Sequence, residues 1–147
     1  MKTKIFLLLT IAFLATSVNA QSKAHKDSLN AIIKTYYDLN VKVFQADSKP
    51  VDVANIFKIF TDDFTYVHPK YGGVYTRAVL LKGYLRNQKN GRYDSNITDI
   101  KIVNKIVGLN SVVVARKYIT KEKGTGDSKM TLFEFKNGKI SKIFEYW

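Results

Sequence analysis

Near residue 92 the hydrophobic pattern of this 147-residue chain changes period, and nothing else in it constrains the fold as tightly. Upstream, Leu29, Ile32, Ile33, Tyr36, Tyr37, Val41 and Phe44 recur at three- and four-residue steps, which predicts one amphipathic helix from about Ser22 to Ala46. Asp47-Ser48-Lys49-Pro50 ends it and opens a second, because proline suits a first helical turn. Val53, Ile56, Phe57 and Phe60 form the buried stripe of that second helix. Phe64 to His68 alternate as a short strand, Pro69 stops its ladder, and Gly72-Gly73 permits a turn. Thr76 then caps a third helix through Leu80, Leu81 and Leu85, closing near Asn90-Gly91. Downstream the period is two. Residues 97–106, 112–120, 129–136 and 139–147 read as four long strands joined by hairpins. Asn137-Gly138 is the strongest local signal, since both residues accept the positive φ of a type I′ turn. Three helices before an antiparallel meander predict an α+β fold, with the helices packed on a strongly curved antiparallel sheet. A bent sheet wrapped on a long helix leaves a conical cavity open at one end.

The first twenty residues read differently. Lys2 and Lys4 precede an apolar stretch from Ile5 to Ala15, and Val18-Asn19-Ala20 supplies a cleavage site before Gln21. This predicts a signal peptide over 1–20 and one domain over 21–147, exported to the periplasm or beyond, with no stable membrane anchor after cleavage. The apolar run is shorter than the ~20 residues a bilayer span needs. The whole chain has a formal charge of +12, which falls to +10 when Lys2 and Lys4 leave with the signal. Its lysines are scattered, without a basic run or aromatic–basic interleaving, so nucleic acid is not an expected partner. No cysteine is present, which removes disulfides and thiol chemistry. His25 and His68 are the only histidines, and neither sits in a carboxylate cluster, so no metal site is expected; no cofactor is implied either. A nucleophile elbow and a phosphate-binding glycine loop are also lacking.

Three segments carry a resemblance: residues 59–69 (IFTDDFTYVHP), Val112-Val113-Val114-Ala115, and residues 133–140 (FEFKNGKI). With the order of elements, the chain over 25–147 resembles the nuclear transport factor 2-like superfamily, which includes the SnoaL-like cyclases, ketosteroid isomerase and scytalone dehydratase. It is most similar to small exported members. The resemblance implies the cone-shaped fold and a homodimer formed through the open sheet face. It also implies where chemistry is sought. The general-base aspartate of ketosteroid isomerase falls on His68, its oxyanion-hole acid near Thr131, and its oxyanion tyrosine near Tyr36 and Tyr37. Threonine does not donate as a protonated carboxyl does, so ketosteroid isomerisation itself is not expected.

The candidate residues follow from parity and chemistry. His68, with an ordinary pKa of ~6.5, is the one plausible catalytic histidine and the candidate general base, and Tyr66 and Phe64 share its strand face. Tyr36 and Tyr37 point about 100° apart on their helix, so only one is expected to face the pocket centre. Arg116 shares a strand face with Val112, Val114 and Tyr118, where an unpaired charge is costly. It therefore pairs with a carboxylate such as Glu145, the favoured reading, or binds an anionic ligand. Glu145 and Trp147 share a face of the last strand. Glu145 is a candidate to orient an imidazole or serve as an acid, and Trp147 to close the cavity mouth or pack on a partner subunit.

These residues support three readings. The leading one is an exported protein that binds a small apolar or amphipathic molecule in an aromatic-lined pocket built from Tyr36, Tyr37, Phe64, Arg116, Glu145 and Trp147. The second is a cofactor-independent lyase or isomerase, dehydratase- or cyclase-like, in which His68 abstracts a proton and Tyr66 or a first-helix tyrosine stabilises the oxyanion. The third is an envelope protein-interaction module acting through its surface.

Overall fold

The computed structural model describes residues 22–147, so the expected signal peptide lies outside the described residues. Helix α1 spans Lys23–Val43 and α2 Pro50–Lys58. Strand β1 (Phe60–His68), a 3-10 turn at Pro69–Tyr71 and strand β2 (Gly73–Thr76) lead into α3 (Arg77–Lys89). The meander is β3 (Ile97–Val107), β4 (Ser111–Thr120), the two-residue β5 (Gly124–Thr125), β6 (Lys129–Lys136) and β7 (Lys139–Tyr146).

Local chemistry explains the helix ends. The Ser22 hydroxyl accepts from the His25 amide at the start of α1, and Thr76 does the same for Val79 at the start of α3. Pro50 opens α2, where the Asp52 carboxylate reaches back to the Lys49 amide at 2.8 Å. Lys42 from α1 meets the same carboxylate at 2.7 Å and, as the main cause, holds its pKa below the usual range. Arg77 donates to the Phe57 carbonyl in the last turn of α2, tying α3 to it.

The sheet order is β2-β1-β7-β6-β4-β3, with β5 pairing β4, and the two outer strands do not meet. The meander is antiparallel as expected, but β1 joins β7 in parallel, so the sheet as a whole is mixed. Register shifts in β1, β3 and β7 bend it around α1. Asn137 and Gly138 have φ of 53° and 71°, the values the β6–β7 hairpin requires.

Three local expectations need correction. Phe60 does not close the stripe of α2; it begins β1, because it pairs with Ile140 and the Ile140 amide donates to the Ile59 carbonyl. Residues 73–76 extend the turn into β2, whose pairing with Thr65–His68 is set by the register of β1. Residues 124–125 add the short β5. Val112, Val114, Phe133 and Ile143 are fully buried on the inner sheet face, against Ile33, Tyr36 and Tyr37 of α1. Burying side chains of this size is worth roughly 1.5–3 kcal/mol each before entropy is counted.

Candidate functional site

Between α1, α3 and the inner sheet face lies a cavity of about 210 Å³. That suits only a compact molecule, since ligand pockets commonly run from about 300 Å³ upward. α1 contributes Tyr36, Tyr37 and Asn40 to its wall; β4 contributes Arg116 and Tyr118; β7 and the residue after it contribute Glu145 and Trp147. Tyr66, Tyr84, Leu80 and Ile100 complete much of the remainder.

Its polar centre is an ion pair. Arg116, 1% exposed, directs one terminal nitrogen, Nη2, at both oxygens of the Glu145 carboxylate, 3.0 and 2.9 Å away. Glu145 also accepts from the Thr131 hydroxyl at 2.8 Å and from the Trp147 indole at 2.6 Å. Strand register explains the assembly, since Thr131 is the cross-strand neighbour of Glu145, and β6 lies between β4 and β7. Burial works against the Arg116 charge, yet Tyr118 and Glu145 hold its proton more tightly than usual. The guanidinium carbon lies 4.7 Å from the Tyr118 ring centre and 5.8 Å from those of Tyr37 and Trp147. Its Nε and Nη1 have no hydrogen-bond partner.

Lys129 pairs with Arg116 across β4–β6 and so lies on the same sheet face. Its ammonium sits 3.5 Å from the Trp147 ring centre, and burial followed by Arg116 lowers its pKa. The surrounding phenols resist ionisation. Burial, the first cause in each case, raises Tyr36, Tyr37, Tyr66 and Tyr84 above the usual phenol range, so all four are neutral at working pH.

The candidate residues divide between this cavity and its surroundings. Tyr36, Tyr37, Tyr66, Arg116, Glu145 and Trp147 line it. Both first-helix tyrosines are in its wall, and their rings pack edge-on to Phe133 at 5.3 and 5.9 Å. Phe64 lies outside the cavity, stacked on Phe60 with ring centres 3.9 Å apart in the core. His68 is likewise not part of the lining. At 2% exposure it packs against Tyr71 (4.4 Å) and edge-on to Trp147 (4.6 Å), and neither ring nitrogen has a partner. Burial lowers its pKa, with Glu145 opposing, so the ring is neutral at pH 7. Glu145 does not orient it, as that carboxylate is engaged by Arg116, Thr131 and Trp147. Trp147 lines the cavity and packs on His68 at once.

Asn40 and Tyr84 were not singled out from the sequence. The Asn40 amide donates to the Tyr36 carbonyl at 2.7 Å and its oxygen accepts from the Tyr84 hydroxyl at 2.8 Å, joining α1 to α3 across the cavity wall. A polar residue on the buried stripe of α1, four residues after Tyr36, was the one signal available. Among the described residues no group of histidine, aspartate or glutamate is placed to hold a metal ion.

No protein-family model matches the chain, and no curated protein is similar to it in sequence. Solved structures are similar in fold. A nuclear transport factor 2-like protein of unknown function from Burkholderia xenovorans superposes with a TM-score of 0.58 at 15% identity, over 82% of each chain. A Sinorhizobium meliloti protein assigned as a polyketide cyclase gives 0.56 at 15%, over 81% of this chain and 98% of that one. A Kribbella flavida protein assigned as a ketosteroid isomerase gives 0.56 at 13%, over 83% and 78%.

Proposed function

From the nuclear transport factor 2-like fold, which this chain has, we propose an exported protein that binds one small, largely apolar molecule in the cavity around Arg116. The observation that carries the reading is an aromatic wall gathered around the Arg116–Glu145 ion pair, an arrangement that offers a ligand both burial and orientation. Export rests on the leader-like residues 1–20. Solved proteins of this fold include those assigned as isomerases and cyclases, but no acid–base pair in the cavity of this chain supports turnover. His68 lies behind Trp147 and the four phenols resist ionisation. Binding without catalysis is therefore the better reading.

Trp147 is the only tryptophan and lines the cavity, so its fluorescence reports occupancy. Titration with compact aromatic molecules, charged and neutral, is expected to give a saturable change that Ile100→Phe, which moves bulk into the cavity, abolishes. The absence of any saturable change, or an equal one in Ile100→Phe, contradicts the reading. A ligand at 100 times its Kd should also stabilise the fold by about 2.7 kcal/mol.

The proposed protein is a homodimer. Supporting this, the sheet face away from the helices carries one register row, Ile106, Val113, Leu132, Phe144, Val67 and Val74, unbroken across six strands. Its ends are 70% and 67% exposed. Isolated surface hydrophobes need no explanation, but a continuous row is a docking surface. Sedimentation at micromolar concentration is expected to show a dimer that Leu132→Lys dissociates; a wild-type monomer counts against it.

A further inference from the structure

We infer that Arg116 is an anion receptor, and that the ligand is a monocarboxylate with a compact, flat, apolar body. This rests on the binding reading above and goes further by naming the ligand's chemical class. A guanidinium has five N–H donors. The contacts to Glu145 come from Nη2 alone, so Nε and both hydrogens of Nη1 are unused in a side chain that is 2% exposed. Leaving charged donors buried and unmade is expensive. Arg116 lines the cavity, and an acceptor inside it supplies what they lack. The Tyr37 hydroxyl lies near Thr131 without a well-aligned hydrogen bond and adds a neutral donor to the same wall.

Charge decides between ligand classes. Arg116 and Glu145 balance each other, and Lys129 beside them leaves the cluster with one excess positive charge. Lys129 is the group whose pKa burial and Arg116 lower, so an anion nearby relieves both cations. Glu145 already receives hydrogen bonds from three side chains, which spreads its charge away from an incoming carboxylate. An ammonium ligand finds no free carboxylate in the lining. A bulky dianion fits poorly against Tyr36, Tyr66, Leu80 and Ile100, whereas the flat body of a small carboxylate matches these walls within about 210 Å³.

The test uses the full-length mature chain and two near-isosteric probes, benzoate and benzamide, titrated against Trp147 fluorescence and checked by calorimetry in 0.5 M NaCl. The high salt screens attraction to the basic surface. Benzoate is expected to bind at least on the order of tenfold more tightly than benzamide, the scale of one charge-assisted hydrogen bond. Glu145→Gln, which frees Arg116 of its competing carboxylate, should widen that preference. Arg116→Met combined with Glu145→Gln removes both charges together and should erase it. Equal binding of the two probes overturns the anion assignment and leaves the small-molecule reading standing. A preference present only at low salt overturns it too, since it marks surface attraction. If neither probe binds, the cavity reading fails and the inference with it.

Discussion

Two buried nitrogen-bearing side chains flank Trp147, and they are held in opposite ways. Arg116 is charged, and the sheet supplies it with a carboxylate, which Thr131 and Trp147 support in turn. His68 is neutral, has no hydrogen-bond partner, and is held by rings alone. The difference follows from the cost of burial: an ion taken out of water without a partner costs several kcal/mol, while a neutral imidazole costs far less. A histidine after an aromatic strand is the more conspicuous residue in the sequence. The buried arginine is the one that organises a cavity.

The sharpest way to break this contrast is to remove one partner on the charged side. Glu145→Leu leaves Arg116, Thr131 and Trp147 without their shared acceptor and is expected to cost about 3–5 kcal/mol in urea unfolding. Adding Arg116→Met should recover much of that loss, because a buried ion pair replaced as a unit is often close to neutral. If the double variant is as unstable as the two singles summed, the pair is not acting as one element.

A smaller effect is expected where the cavity wall is neutral. Tyr84→Phe leaves the Asn40 oxygen without its donor and should cost about 1–2 kcal/mol in the same assay. No change there would mean that the α1–α3 link carries no stability.

On the imidazole side, His68→Leu is expected to change stability by less than about 1.5 kcal/mol, as it exchanges a partnerless ring for an apolar group of similar size. A loss as large as that of Glu145→Leu would erase the distinction between the two regions.

The smallest expected signal is in pH. Burial depresses the folded pKa of His68 below its ordinary 6.5, while Glu145 opposes the shift and Lys70 and Lys129 add to it. The unfolded chain therefore takes up this proton first. The contribution is complete above about pH 6.5 and is withdrawn as pH falls through that value toward the lower folded one. Wild-type stability should decline more steeply than that of His68→Leu over this window; parallel curves would show that His68 is not held neutral.

Much of the fold was legible because it is written in local periods. The three-to-four step of α1, the period-two strands, the Thr76 cap and the Asn137-Gly138 turn each act within a few residues. Phe60 was misassigned because it continues the apolar spacing of Phe57, and only pairing with the distant Ile140 makes it a strand residue. β2 was missed for the same reason, since four residues beside two glycines acquire strand geometry only from β1. At the site, the Arg116–Glu145 pair could be read from parity, because each sits on the inward face of its strand. The link between Asn40 and Tyr84 could not, as it depends on how α1 and α3 approach one another. Nor could parity say that Trp147 would stand between His68 and the cavity.

On this reading the Arg116 side of Trp147 binds and the His68 side only packs. Calorimetric titration of benzoate into His68→Leu and into Arg116→Met/Glu145→Gln compares the two directly. His68→Leu is expected to bind within about threefold of wild type, while the charge-free variant loses on the order of tenfold or more. Lost binding in His68→Leu with binding retained in the charge-free variant would contradict it.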